Sequence, residues 1–181
     1  MKILLHICCA VCAGTVIERL MIAGDTVTGY FYNPNIHPQD EYERRFQSVK
    51  KVAKEFDIEL IEGPYDRENW FGLVKGYEHE AEGGRRCEVC FRMRLESSYR
   101  EMKKRELDKF TTTLSVGPMK DADLINKIGL GISMERFIPA DFKKKDGFKR
   151  AMELSREMNL YRQNYCGCIY SKEEMLKRKE K

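Results

Sequence analysis

The chain lacks any apolar run long enough to cross a bilayer, which argues against a membrane-spanning protein. Residues 1–8 superficially resemble a signal peptide, but their apolar stretch is too short and leads directly into Cys8 and Cys9. Internal repeats and low-complexity linkers are absent as well. We therefore expect a cytoplasmic protein with no membrane partner, folded as one domain over its 181 residues.

A large excess of charge of one sign is also missing. The sequence has 33 Lys and Arg residues against 29 Asp and Glu residues, which gives a formal net charge of +4. This mildly basic balance permits an anionic partner such as a nucleic acid, but it does not require one. Charge alone therefore leaves the class of partner open.

The order of apolar and amphipathic segments predicts an α/β fold. Short apolar runs at 2–7, 26–32 and 58–61 alternate with helical patterns at 12–23 and 38–56. Two βαβ units of this kind favour a parallel, Rossmann-like sheet with right-handed crossovers. The remaining predicted elements are a short helix and a lid-like loop over 64–84, strands at 109–114 and 135–138, and helices at 87–105, 119–129, 145–159 and 171–181. The predicted architecture is a single domain, 1–181, with a helical C-terminal extension from about residue 143.

All seven cysteines fall into three short clusters: Cys8-Cys9-x-x-Cys12, Cys87-x-x-Cys90 and Cys166-Gly167-Cys168. An odd cysteine count without an export signal argues for metal binding or redox chemistry, and against a disulfide framework. Cys8 and Cys9 follow the first predicted strand, at the sheet edge where sites form in such folds. The helix that begins there favours the thiolate, which is the form that binds a metal.

The Cys87-x-x-Cys90 spacing alone fits zinc as well as an iron–sulfur cluster. The adjacent pair Cys8-Cys9 is unusual for a zinc ribbon, and seven thiols exceed the needs of one closed tetrahedral site. Both features favour an iron–sulfur centre, with the surplus thiols serving a second metal or a redox pair.

The third cluster is a candidate redox pair. A disulfide between Cys166 and Cys168 would close a small, strained ring and would be labile. The alternative is that both thiols are further metal ligands. Cys12 lies about one helical turn after Cys9, where it either binds a second metal with Asp40 or Asp141 beside it, or packs as a small core residue.

Several polar and basic residues are candidates for substrate binding. Asn33 and Asn35 follow the second predicted strand, close to the first cysteine cluster, although Asn and Pro together also simply form turns. Arg85 and Arg86 follow two glycines and can bind phosphate. A basic stretch with interleaved aromatic residues runs from Lys143 to Arg162 and suits a nucleic-acid backbone, or else forms a solvated helix face.

Taken together, the motifs resemble one known family over nearly the whole chain. They are His6-Ile7-Cys8-Cys9-Ala10-x-Cys12, Tyr32-Asn33-Pro34-Asn35-Ile36-His37-Pro38, Gly84-x-x-Cys87-x-x-Cys90-Phe91-x-x-Arg94-Leu95, Thr111-Thr112-Thr113-Leu114 and Leu160-Tyr161-Arg162-Gln163-x-Tyr165-Cys166-Gly167-Cys168-x-Tyr170-Ser171. This combination is similar to the cobalamin-independent epoxyqueuosine reductases, the QueH family. One departure is Gly117-Pro118, where the family pattern has Ser-Pro.

The resemblance implies the last step of queuosine biosynthesis: reduction of the epoxide of epoxyqueuosine in tRNA to queuosine, with loss of water and electrons from an external donor. It implies a fold like the adenine-nucleotide α-hydrolases (HUP fold) and a [4Fe–4S] cluster, for which Cys8, Cys9, Cys87 and Cys90 are the candidate ligands. The remaining thiols, Cys12, Cys166 and Cys168, would then be catalytic, as a redox pair or as ligands of a second, mononuclear iron. The candidate substrate-binding residues are Asn33, Asn35, Arg85, Arg86 and Arg162.

Two other functions remain as alternatives. An iron–sulfur and ATP-dependent tRNA thiolation enzyme would need the Ser-Gly-Gly-x-Asp-Ser loop of the ATP-using relatives, whose place after the first strand is taken here by cysteines. We therefore expect no use of ATP. A zinc-stabilised RNA-binding module would instead hold only zinc.

Overall fold

A parallel sheet forms the centre of the protein in the computed structural model, which describes residues 1–179. Over those residues it has four strands in the order β3-β2-β1-β4, and every pair of neighbours is parallel. The strands are β1 (Lys2–His6), β2 (Thr26–Phe31), β3 (Glu59–Glu62) and β4 (Lys109–Thr112). Because β1 has a neighbour on each side and carries the first cysteines at its end, the candidate site lies at the middle of the sheet's carboxyl edge.

Helices cover both faces of this sheet, as a parallel sheet requires. Residues 1–179 form seven α-helices: α1 (Ala10–Ile22), α2 (Gln39–Glu55), α3 (Arg67–Val74), α4 (Arg85–Lys104), α5 (Ala122–Ile132), α6 (Gly147–Glu157) and α7 (Ile169–Lys179). None of the helices in this part of the chain is both long enough and apolar enough to span a membrane. The predicted α/β class, the parallel sheet and the helical C-terminal part are thereby confirmed.

Side-chain alternation along β1 divides the interior into two cores. Ile3 and Leu5 belong to a core that also contains residues of α1 and α2, whereas Leu4 belongs to a core with residues of α4 and α5. All three side chains are fully buried. Cys8 packs against both cores, so it lies where the two layers meet above the end of β1.

The end of β4 departs from the sequence prediction in a way that matters for the site. The strand stops at Thr112, and Thr113–Val116 form a 3₁₀ turn where 109–114 was predicted as continuous strand. Thr112 causes the turn, because its Oγ1 accepts a hydrogen bond of 3.1 Å from the amide of Leu114. This turn brings Thr113 close to Cys8, which follows the end of β1.

Other elements also differ from the prediction, among them a strand and the last helix. The predicted strand at 135–138 is wrong: it makes only an isolated parallel bridge between Phe110 and Phe137, because no second ladder pair follows. The last helix begins at Ile169, two residues before its predicted start, and the end of the 171–181 prediction lies outside the described residues. Helix α6 packs on α1, and a salt bridge of 2.9 Å joins Arg150 to Glu18 across that contact.

Candidate metal and redox centre

Three thiols converge at the carboxyl end of β1. Cys9 is the N-cap of α1, with an extended backbone (φ −164°, ψ 161°), and Cys12 lies in the first turn of that helix. The Sγ atoms of Cys8, Cys9 and Cys12 all lie within 4.8 Å of one another. Within residues 1–179 this is the one group of three or more His, Cys, Asp or Glu side chains with that spacing. The sequence spacing C-C-x-x-C therefore produces a metal-binding geometry through a strand end and a single helical turn.

The surroundings of the three thiols favour the thiolate at Cys8 and the protonated thiol at Cys9 and Cys12. Hydrogen bonds with the thiols of Cys12 and Cys9, and the positive charge of Arg94, lower the pKa of Cys8 well below its usual value. The hydrogen bonds with Cys8 and Cys9, together with burial, raise the pKa of Cys12. The hydrogen bond with Cys12 favours the thiolate of Cys9, but the hydrogen bond with Cys8 and burial outweigh it and raise the pKa of Cys9 to about 12.

Thr113, in the 3₁₀ turn that follows β4, stabilises a thiolate at Cys8. Its Oγ1 accepts a hydrogen bond of 3.0 Å from the amide of Cys8 and donates one of 3.2 Å to the Cys8 thiolate. This double contact depends on the 3₁₀ turn after β4. The hydroxyl therefore orients both the backbone and the sulfur of Cys8.

A cavity of about 90 Å³ opens beside the three thiols. Cys166 reaches it from the C-terminal loop, so two of the three sequence clusters meet there. The remaining lining residues are Arg45, Arg94, Leu114, Gly117, Lys120, Gln163 and Tyr165. No carboxylate lines the cavity among the described residues, and in particular neither Asp40 nor Asp141 does. The predicted acidic companion of Cys12 is therefore not found in this structure.

Lys120 holds the sulfur of Cys166. Its Nζ lies 2.9 Å from Cys166 Sγ and 2.7 Å from a carboxylate oxygen of Glu82. Burial alone would lower the pKa of Lys120, but the negative charges of Cys166 and Glu82 outweigh it and raise the pKa. The side chain is therefore a charged ammonium group inside a largely enclosed site.

Arg45 fixes the backbone of the same loop. Its guanidinium donates hydrogen bonds of 2.9 Å and 3.1 Å to the carbonyls of Cys166 and Tyr165, and it is paired with Glu41 at 2.7 Å. Gly167 lies between these carbonyls and α2 with φ +133°, where a Cβ would come within 3.1 Å of Arg45 Nη1. The buried charge of Arg45 consequently ties the Cys166-Gly167-Cys168 segment to α2, and the backbone conformation at Gly167 favours glycine.

The other cysteines lie in the core between the sheet and α4. Cys87, Cys90 and Cys168 belong to that core, which Cys8 also touches. The amide of Gly83 donates to Cys87 Sγ at 3.2 Å. Burial, followed by the charge of Cys166, raises the pKa of Cys168 to about 11, and burial also raises the pKa of Cys87. All seven cysteines are free thiols in this structure, including Cys166 and Cys168.

The five candidate substrate-binding residues separate into buried and exposed groups. Asn33 is 1% exposed, and it donates to the carbonyl of Ile7 and accepts from Arg94 at 2.6 Å. Asn35 is 2% exposed, and its Oδ1 has no hydrogen-bond partner among the described residues. Both asparagines are therefore buried, and Asn33 joins the end of β1 to Arg94.

The paired arginines have different environments. Arg86 is 1% exposed; its guanidinium donates to the carbonyl of Glu78 and contacts Glu174 of α7 at 3.4 Å. Arg86 thus joins α4 to the preceding loop and to α7, so its guanidinium is engaged inside the protein. Arg85 and Arg162 are exposed.

Sequence reasoning did not identify Lys120 or Arg45 as parts of the site. Arg45 stands in a helix with many charged residues, where its pattern matches a solvated face. Lys120 follows the carboxyl end of β4 by a few residues. That position, at the edge where the cysteines were expected, was the one available signal.

A family model and two relatives of known name identify the same family for this chain. A family model described as "Epoxyqueuosine reductase QueH" matches residues 3–174. An epoxyqueuosine reductase QueH of Haemophilus influenzae is 41% identical over 174 residues, covering 94% of this chain and 71% of the relative. Another, of Thermotoga maritima, is 38% identical over 185 residues, covering 99% and 93%.

A solved structure shares the fold at low sequence identity. It is the U34-tRNA thiolase NcsA from Methanococcus maripaludis with its [4Fe-4S] cluster, at a TM-score of 0.60 and 13% identity. The alignment covers 99% of the present chain and 65% of the thiolase chain, so this chain spans slightly less than two thirds of that protein.

Proposed function

Because the chain belongs to the epoxyqueuosine reductase QueH family, we propose that it reduces the epoxide of epoxyqueuosine in tRNA to queuosine. In this reaction both C–O bonds of the epoxide break, a C=C bond forms, and the oxygen leaves as water. The step consumes two electrons from an external low-potential reductant and two protons from solvent. The observation that carries the proposal is the thiol-lined cavity at the carboxyl edge of the sheet.

The chemistry of the donor set fits an iron–sulfur centre. Soft thiolates are the ligands of such clusters, and the cavity combines closely spaced thiols with no competing carboxylate among the described residues. When bound, a [4Fe–4S] cluster supplies electrons singly, and a second iron supplies a Lewis acid. We propose Cys8, Cys9, Cys87 and Cys90 as the cluster ligands.

The position of Cys8 supports this division, because Cys8 lies between the first thiol cluster and the core that contains residues of α4. Cys8, Cys9 and Cys12 are close enough for a single ion, and Cys8 also touches the core that contains Cys87 and Cys90. This division leaves Cys12, which lines the cavity together with Cys166, as a ligand of a mononuclear iron.

Cys166 and Cys168 are the alternative redox pair. Neither is in a disulfide, and burial, followed by a negative charge at Cys166, raises the pKa of Cys168. Two reduced thiols release two electrons when they are oxidised to a disulfide. The Lys120 and Arg45 contacts hold Cys166 at the cavity in either role.

The substrate nucleotide must leave the anticodon stack to reach the cavity. Single-stranded loops are recognised by splayed bases and by phosphate contacts. Arg85 and Arg162 are exposed and suit phosphate contacts, whereas the buried thiols suit the reacting base. The tRNA is therefore the partner that we propose for the exposed basic residues.

Anaerobic purification followed by conversion of substrate tests the function. We expect a coloured protein that contains about four irons and acid-labile sulfide per cluster. With dithionite and tRNA that carries epoxyqueuosine, it should yield queuosine. A colourless protein that holds only zinc would support the RNA-binding alternative, and no conversion by fully iron-loaded protein would contradict the reductase. Tight binding of ATP would instead favour a thiolation enzyme, which has only the shared fold in its favour.

A further inference from the structure

The ammonium group of Lys120 has hydrogen-bonding capacity that the protein does not use. A lysine ammonium has three N–H donors. In the described part of the chain, Lys120 Nζ makes two hydrogen bonds, to Glu82 at 2.7 Å and to Cys166 at 2.9 Å. The side chain lines the cavity that also contains the first cysteine cluster. One N–H therefore remains for a group that enters this cavity.

Lys120 is also the most accessible of the three cationic residues that line the cavity. Its side chain is 14% exposed, whereas Arg45 and Arg94 are 2% and 3% exposed. Each arginine is bound into the fold: the first to Glu41 and backbone carbonyls, the second to Asn33. An incoming ligand would meet the lysine ammonium first.

The proposed reaction requires stabilisation of negative charge on the epoxide oxygen, which the Lys120 ammonium group can provide. When a C–O bond of the epoxide breaks, negative charge develops on the oxygen before it leaves as water. A fixed donor aimed at such an oxygen, in a site that excludes water, lowers the barrier more than it strengthens binding of the ground state. Glu82 and Cys166 hold the ammonium in place, so it pays no cost of reorganisation when the charge appears.

We propose that Lys120 is a catalytic residue whose third N–H donates a hydrogen bond to the epoxide oxygen as its C–O bond breaks. This inference rests on the proposed reductase function. The step is the two-electron reduction described above: the lysine keeps its proton, the external reductant supplies both electrons, and solvent supplies the protons of the water formed.

The test compares Lys120→Met and Lys120→Arg with Lys127→Met as the matched control. Lys127 is an exposed lysine of the following helix and lies outside the cavity. Each reconstituted variant is assayed for kcat and KM with tRNA that carries epoxyqueuosine and dithionite. Iron and sulfide content, and equilibrium binding of the same tRNA without reductant, are measured alongside.

We expect Lys120→Met to lose about 10²–10³-fold in kcat, the range found for removal of one oxyanion donor. Its KM, tRNA affinity and iron content should stay close to those of Lys127→Met, and Lys120→Arg should recover much of the lost kcat. A merely structural lysine would instead change iron content or KM, and either result would overturn the inference. Equal kcat in Lys120→Met and the control would overturn it while the reductase function stands. A fully loaded but inactive wild type would overturn both.

Discussion

The guanidinium of Arg45 donates a hydrogen bond of 2.9 Å to the backbone carbonyl of Cys166, which lies 121 residues later in the chain. The same side chain is paired with Glu41 one helical turn earlier, and both partners are buried. A helix near the start of the chain thereby fixes the loop that carries the last two cysteines. The orientation of that loop depends on a charge that is removed from solvent.

Replacement of Arg45 by Met should destabilise the protein strongly. Removal of Arg45 leaves the buried Glu41 carboxyl with only the Tyr161 hydroxyl at 2.8 Å and the exposed Arg44 at 4.0 Å. Breaking a buried ion pair in this way costs about 3–5 kcal/mol. The measurement is urea-induced unfolding under reducing conditions. The control is Arg44→Met on the same helix, whose guanidinium lies 4.0 Å from the same Glu41 carboxylate but is 54% exposed, so we expect a loss below about 1 kcal/mol. Similar losses in the two variants would show that the Arg45 contacts contribute little.

Gly167→Ala should disturb the same loop through the backbone. The residue has φ +133°, and an added Cβ would come within 3.1 Å of Arg45 and of Ile36. We expect a loss of about 1–3 kcal/mol in the free energy of unfolding, with reduced conversion of substrate. Gly131→Ala is the matched control, because its Cβ would meet no atom within 4 Å and its helical position should make it neutral or slightly stabilising. Equal stability of the two variants would contradict this account of the loop.

The parts of the site that the sequence could predict are those that depend on local geometry. The position of Cys8 at a strand end follows from hydrophobic pattern and topology, and the Cys166 cluster is visible from spacing. Thr113 was predicted to lie in a strand, because β-branched residues favour strands and the turn arises from one side-chain hydrogen bond. Arg45 and Lys120 were not predicted as parts of the site. Each contacts Cys166, which lies in a distant segment of the chain, and no local sequence pattern specifies such a contact.

Replacement of Arg85 should affect tRNA binding, whereas replacement of Arg86 should affect the stability of the protein. Arg85→Met should weaken tRNA binding and reduce the slope of log affinity against log salt concentration by roughly 1, as loss of one phosphate contact does. Arg86→Met should leave that slope unchanged and lower stability, since this side chain binds carbonyls and Glu174 inside the protein. Filter-binding titrations at several salt concentrations, together with thermal unfolding, distinguish the two effects. A changed salt slope in Arg86→Met would restore its role as a substrate contact.

Cys8 should be the most reactive thiol of its cluster in metal-free, reduced protein. Its lowered pKa favours the reactive thiolate, whereas the raised pKa values of Cys9 and Cys12 favour the less reactive thiol. Cys8 is also the more exposed of the three. Brief treatment with iodoacetamide at pH 7, followed by peptide mass spectrometry, should find carbamidomethyl mainly on Cys8. Protein unfolded in urea is the control, and there the three thiols should react similarly.

The division of the cysteines can be tested by metal content without any assay of activity. If Cys8, Cys9, Cys87 and Cys90 hold the cluster, Cys87→Ser should lose most of its iron and sulfide, because a four-iron cluster lacks one of its four thiolates. Cys12→Ser and Cys166→Ser should keep the cluster's iron and sulfide and its visible absorption, yet fail to convert the substrate. Loss of at most one iron per protein in the latter two variants, with no loss of sulfide, would mark them as ligands of a second, mononuclear iron. Loss of sulfide in Cys166→Ser would contradict the division, because only a cluster ligand affects the inorganic sulfur.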